Sequence, residues 1–135
     1  MLPTGESIEL RTNDNSKVLR MNSIEKDAKG FYRCELFVRS GDFSCERPFY
    51  FDESSFPDAI QSLRRMDAGM VCETQIKAQW ENDYIGFASD SLGHVFVTGE
   101  IAEYSDPPQS FRFAFKTDQT ILAPLIRDFE RLQSV

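Results

Sequence analysis

Residues 32–66 run YRCELFVRSGDFSCERPFYFDESSFPDAIQSLRRM, and a change of period inside them decides the fold. Tyr32, Cys34, Leu36 and Val38 alternate with Arg33, Glu35, Phe37 and Arg39. A period of two is a strand with one buried face. Ser40-Gly41-Asp42 then turns the chain. Phe43, Cys45, Phe49 and Phe51 mark one face of a returning strand, with Arg47 interrupting the row. Pro48 has no amide hydrogen to offer a neighbour, which places this strand at an edge or beside a bulge. Beyond Asp52 the period lengthens, and Phe56, Ala59, Ile60, Leu63 and Met66 fall on one helical stripe. Ser55 and Asp58 have the spacing of a capping box. Pro57 fits the first turn, whose amides lack helical partners, and Gly69 is a stop signal.

Strands are expected on both sides of this unit. Ile8 to Arg11 alternates, and Val18 to Met21 forms a strand that extends to Ile24. After the helix, Cys72, Thr74, Ile76, Ala78 and Trp80 share one face, which puts Trp80 in the core. Glu73, Gln75, Lys77 and Gln79 form the opposite, wet face. Tyr84 to Ala88, the row Val95, Val97, Gly99 and Ile101, and the row Phe111, Phe113 and Phe115 follow, with a loop at 104–109. A last helix over Thr120 to Leu132 buries Leu122, Leu125, Ile126, Phe129 and Leu132, and Pro124 in its first turn sets the N-cap near Thr120. The fold class is therefore α+β: an antiparallel sheet of about seven to eight strands and two helices, in the order strands, helix, strands, helix. The helices are expected on one sheet face.

The two halves echo each other across residues 30–66 and 94–133. Phe49-Tyr50-Phe51 precedes one helix and Phe113-Ala114-Phe115 the other, and the stripes Phe56/Ile60/Leu63/Met66 and Leu122/Ile126/Phe129/Leu132 superpose. Either an internal duplication or two strand-to-helix units obeying the same packing rules gives this pattern.

At 135 residues the chain is expected to be a single domain over 1–135. Twelve Phe predict a Phe-rich core. Fraying is expected at residues 1–6 and over the last two or three. The net charge of −7 argues against nucleic acid and anionic membranes as partners. No apolar run approaches the roughly 20 residues that span a bilayer. Met1 to Glu6 lacks the basic and apolar regions of a signal peptide, so a cytoplasmic location is expected. Cys34, Cys45 and Cys72 cannot all pair within the chain, and no two are spaced for a zinc knuckle. Reduced, buried thiols are the expectation. Cys34 and Cys45 flank the hairpin turn as candidate cross-strand neighbours.

All of the net charge sits between Asp67 and Phe111. Asp67, Glu73, Glu81, Asp83, Asp90, Glu100, Glu103 and Asp106 face one cation, Lys77, which gives 1 − 8 = −7; the rest of the chain balances. Such a block is either a solvated surface or an acidic face that steers a basic partner. Aromatics beside carboxylates supply the anchors of a binding surface. The partner-binding candidates are Glu81, Asp83, Tyr84, Asp90, Glu100, Glu103, Tyr104 and Asp106.

Chemistry is harder to place. His94 is the only histidine, and no nucleophile or orienting group can be tied to it. There is no phosphate-binding glycine loop and no nucleophile elbow. One histidine and scattered cysteines do not make a transition-metal site. Glu100 and Glu103, three apart at a strand end, point to opposite faces and do not form a glycosidase pair. The expectation is a non-enzymatic binding protein without metal or cofactor. The alternatives are a structural or oligomerising module, suggested by the edge near Pro48, and a small-ligand binder or enzyme centred on His94.

The run from Phe111 to Arg127, FRFAFKTDQTILAPLIR, resembles the end of small bacterial proteins of the WapI immunity family. These have a Phe-rich strand, then Thr-Asp-Gln-Thr, then a helix containing Leu-x-Pro-Leu. Gly93-His94-Val95 and Gly99-Glu100-Ile101 fall where that family has its preceding strand. The motifs cover the last third of the chain, and the order of elements agrees over most of it. The resemblance implies an immunity protein that binds and blocks a toxin domain, often a nuclease with a basic cleft. It carries over no catalytic residues.

Overall fold

The computed structural model describes residues 2–3 and 6–134. Its first sheet (sheet A) contains β1 (Leu2–Pro3), β2 (Ile8–Glu9), β3 (Lys17–Lys26), β4 (Phe31–Ser40) and β5 (Phe43–Asp52), all antiparallel. The short β1 and β2 pair with different stretches of β3, so together they act as one interrupted edge strand. Leu2–Pro3 is thus paired, although residues 1–6 were expected to fray. Met1, Thr4, Gly5 and Val135, on which the rest of that expectation falls, lie outside the described residues. The opposite edge is β5, where Pro48 sits opposite Glu35, as the missing amide hydrogen requires.

Helix α1 (Phe56–Asp67) follows, then sheet B: β6 (Glu73–Lys77), β7 (Tyr84–Ser89), β8 (His94–Glu103) and β9 (Gln109–Asp118) in simple meander order. A short 3-10 turn, Gln119–Ile121, leads into α2 (Leu122–Gln133). The expected α+β order holds, and the strands divide between two antiparallel sheets because α1 separates β5 from β6. Each half is in effect a four-stranded meander followed by a helix.

Alternation builds the core. On β4 the buried residues are Tyr32, Cys34, Leu36 and Val38, and on β5 Phe49 and Phe51. On β3, Leu19 and Met21 share a parity that Ile24 does not, yet all three are buried. The register shifts between Asn22 and Glu25, and Ser23 takes φ 52°, so a bulge turns Ile24 inward. The helical stripes are buried as their spacing predicts, and Phe56 meets Phe129 edge to face at 5.1 Å. Phe56 also packs on Tyr32 and Phe51, so α1 lies on the inner side of sheet A. Full burial of one such side chain contributes about 1.5–3 kcal/mol.

The capping box expected at Ser55 does not form, while the other helix ends follow their sequence signals. Ser55 is the N-cap of α1 but makes no capping bond; its Oγ instead accepts the backbone N–H of Lys77 at 3.3 Å. The capping box is therefore replaced by a tie to sheet B. At the other end Gly69, at φ 91°, completes a Schellman closure: its N–H reaches the Met66 carbonyl and the Met70 N–H reaches that of Arg65, both at 2.9 Å. The N-cap of α2 is Ile121, next to the expected Thr120, and Asp118 caps the 3-10 turn before it, its carboxylate accepting the Thr120 N–H at 2.9 Å.

The edges of the two sheets meet at a seam. Beyond β6, the Gln79 N–H donates to the Tyr50 carbonyl of β5 at 3.0 Å. Where the chain turns between sheet A strands, Lys17 Nζ and Ser40 Oγ reach backbone carbonyls of β9, those of Lys116 and Ala114. Among the described residues, no helix is long and apolar enough to cross a membrane.

Candidate functional site

The predicted carboxylates gather where the head of β7 meets the far end of β8. Tyr84 opens β7 opposite Glu100. One residue earlier, Asp83 is only 3% exposed, and its Oδ1 accepts the Ala102 N–H at 3.1 Å. Its expected place on the binding surface is corrected: a carboxylate that satisfies a backbone donor here is held inside. Glu103 ends β8 beside the 104–108 loop and accepts from Gln109 Nε2 at 2.9 Å and Ser105 Oγ at 3.2 Å. These bonds, that of Gln109 foremost, hold its carboxyl below the usual range. Tyr104 is 60% exposed and Asp106 is also exposed, in the same loop.

Glu81 completes the group. Shielding from water, the like charge of Asp83 and a hydrogen bond with it push the Glu81 carboxyl up, with Arg47 opposing. Two arginines enter the cluster. Arg47 Nη1 lies 3.8 Å from Glu103, and Arg112 Nη2 lies 3.5 Å from Glu100. Arg47 belongs to the core-facing row of β5, opposite Leu36. Its Nε is buried without a hydrogen-bond partner among the described residues. It lines a cleft of about 270 Å³ with Cys45, Glu103, Gln109 and Phe111. The interruption of the apolar row at Arg47 is the sequence signal for this cleft.

Asp90 does not join the group. It lies in the β7–β8 turn at the other end of β7, roughly 20 Å away at the rise of an extended strand. There its Oδ1 accepts the N–H groups of Leu92 and His94, both at 2.9 Å, and its Oδ2 lies 2.8 Å from His94 Nδ1. The backbone bond from His94 leads in holding the Asp90 carboxyl below the aspartate range. Asp90 is thus the orienting partner that the sequence did not reveal for His94. The hollow beside the pair measures about 80 Å³, well below the size of an ordinary small-molecule site. The nearby Ser89 hydroxyl already donates to the Met70 carbonyl. No group of three or more His, Cys, Asp or Glu suited to a metal occurs among the described residues.

Trp80 was expected in the core and is 72% exposed. Strand β6 stops at Lys77, and the chain then curls so that the Ala78 N–H reaches the Asp83 carbonyl at 2.9 Å, so strand parity does not carry to Trp80. Its ring leans on Tyr50 at 5.8 Å and Phe31 at 6.4 Å. Glu73, Gln75 and Lys77 are exposed as expected, whereas Gln79, expected on the same wet face, is half-buried past the end of β6. Cys34 and Cys45 are not cross-strand partners: Cys34 faces Phe49 and Cys45 faces Val38. All three thiols are free.

The site offers carboxylates at one end of sheet B and an exposed aromatic, Tyr104. No family model, curated protein or solved structure matches the chain.

Proposed function

We propose that this chain is a non-enzymatic, cytoplasmic binding protein of immunity type. It blocks a basic toxin domain through the end of sheet B where β7 and β8 meet, in line with its resemblance to the WapI immunity family. The observation that carries this reading is the convergence of Glu81, Glu100, Glu103 and Asp106 around the buried Asp83 at one end of sheet B, with Glu100 and Glu103 on opposite faces of β8. Five carboxylates against Arg47, Arg112 and Lys77, which ends β6 opposite Tyr84, leave two formal negative charges uncompensated. Such a patch steers a basic surface into contact and fits the phosphate-binding cleft of a nuclease. Exposed Tyr104 supplies an aromatic anchor beside the charges. Asp83 serves by holding the end of β8 in place, and Asp90 is outside the patch.

The test is charge reversal. Replacing Glu81, Glu100 and Glu103 together by Lys weakens binding of the captured partner by about a hundredfold or more and flattens its salt dependence. Asp90→Lys leaves binding unchanged. Unaltered affinity and salt dependence in the triple variant would sink the reading.

A further inference from the structure

Strand β6 is an outer strand of sheet B, and four bonds fix which way its backbone groups point. The Ala78 N–H reaches the Asp83 carbonyl and the Ser89 N–H reaches that of Cys72, both at 2.9 Å, so even-numbered residues face β7. The Lys77 and Gln79 N–H groups point the other way, to Ser55 Oγ and the Tyr50 carbonyl. Residues two apart in a strand point their backbone groups alike. Glu73 and Gln75 therefore aim their N–H and C=O groups off the sheet edge. None of these groups has a hydrogen-bond partner among the described residues.

This edge lines a cleft of about 470 Å³, within the size range of ligand sites. Ser54, Ser55 and Asp58 at the start of α1 line it too. The side chains of Asp58, Glu73, Gln75 and Lys77 are exposed there and have no ion pair or hydrogen bond among the described residues. At the Lys77 end the strand position is already taken: Ser55 Oγ accepts the Lys77 N–H at 3.3 Å, and Tyr50 accepts that of Gln79 at 3.0 Å. Other edges are broken up. On β9, Lys17 and Ser40 cover the carbonyls of Lys116 and Ala114, and on β5 Pro48 removes a donor.

We propose that the β6 edge receives an extended, basic segment of another protein as an added strand. Its donor and acceptor groups recur about 6.8 Å apart, twice the rise of an extended chain. A second polypeptide backbone supplies the complement at that same repeat. Charge selects a basic segment. Glu73 stands on the outer sheet face and Asp58 on the α1 side of the edge, both without an ion pair among the described residues, and Lys77 stands at the closed end. Adjacent residues of a strand face opposite sides, so consecutive Lys and Arg meet both carboxylates. A second copy of β6 fits less well. Pairing Glu73 with Gln75 of the other copy brings its Val71 against Lys77, where Ser55 sits, and pairing Glu73 with Glu73 opposes like charges. Asp58 and Glu73 lie outside the acidic patch, so this proposal is independent of the immunity reading.

The experiment is NMR of the full chain, titrated with the peptide acetyl-Thr-Val-Lys-Arg-Val-Thr-amide. In the free chain the Glu73 and Gln75 amides exchange rapidly with solvent, while those of Thr74 and Ile76 are protected. The peptide, at up to about 5 mM, shifts the Asp58, Glu73 and Gln75 resonances and slows exchange of the Glu73 and Gln75 amides. Gln75→Pro removes a donor that has no ladder partner, and it weakens binding at least about fivefold. Glu73→Lys weakens it similarly, and a peptide with Glu in place of Lys and Arg does not bind. The Glu81/Glu100/Glu103→Lys variant still shows the same peptide shifts, which separates this edge from the acidic patch. Protection of the Glu73 and Gln75 amides in the free chain, which a second copy at this edge would produce, overturns the proposal. So does an absence of peptide shifts over that range, or shifts confined to the acidic end of sheet B. Binding that a folded Gln75→Pro variant and a folded Glu73→Lys variant leave intact overturns it as well.

Discussion

Asp83 accepts the backbone N–H of Ala102 at 3.1 Å from a position only 3% exposed. One side chain thereby fastens the loop before β7 to the end of β8 that presents the acidic patch. Removing the acceptor strands a buried donor, at a cost of about 1–3 kcal/mol. Asp83→Ala therefore loses stability on that scale in urea unfolding. Asp83→Asn keeps a carbonyl oxygen in place and loses less. Equal losses in the two variants would contradict a role through this bond.

Two glycines of sheet B respond differently to a methyl group. A Cβ on Gly99 would stand 2.3 Å from the Phe113 ring and 2.6 Å from the Tyr84 carbonyl oxygen, and backbone cannot step aside. Gly99→Ala costs about 3 kcal/mol or more, or prevents folding. A Cβ on Gly86 meets the Thr98 hydroxyl at 2.8 Å, a side-chain atom that can rotate. Gly86→Ala is correspondingly milder, and thermal melts of the two variants rank them. The reverse order would show that Phe113 does not pack on Gly99.

The thiols separate by burial. Burial pushes the Cys34 thiol up to about 12 and also raises that of Cys45. In native protein at mildly alkaline pH, a thiol reagent modifies Cys34 only at the rate of global unfolding, and mild denaturant accelerates that modification. Mass spectrometry of the labelled peptides reads this directly. Rapid native labelling of Cys34 would contradict its place in the core.

Acid sensitivity follows from the turn carboxylates. Backbone and side-chain hydrogen bonds lower Asp14, Asp27, Asp90 and Asp118 below the ordinary aspartate value. A depressed carboxyl contributes stability that is fully present above its unfolded pKa and is lost as pH falls through the folded one. Glu81 is raised and has the opposite sign: its contribution is present at low pH and is lost as pH rises through its folded pKa. Glu103 is lowered as well, so five depressed carboxyls stand against one raised, and stability falls on acidification through and below the carboxylate range. Carboxyl titration by NMR checks the sign site by site, with Asp90 below and Glu81 above the ordinary values of their types. An Asp90 that titrates at or above that value would break the assignment.

Most of the fold was legible because burial is periodic. The parity of Tyr32 to Val38 and the stripe from Phe56 to Met66 record which atoms leave water, and Pro48 records an edge through its missing donor. Where geometry departs from period, the sequence is silent. Trp80 lies past the end of β6, so its phase with Ile76 carries no information. Ile24 reaches the core through a bulge at Ser23 that no turn residue announces. Five members of the charge block fall at one end of sheet B, and linear proximity also drew in Asp90 from the opposite end. The burial of Asp83 depends on a donor nineteen residues away, Ala102, and only register brings the two together. Arg47 was visible as a break in an apolar row; its meeting with Glu103 needed the packing of two sheets.

The most direct measurement for the central claim is affinity capture from the native host at low and at high salt, run side by side with the wild type and the Glu81/Glu100/Glu103→Lys variant. The account predicts a basic partner that the wild type retains at low salt, that high salt releases, and that the triple variant fails to capture. A partner held equally by both proteins at both salts would contradict it.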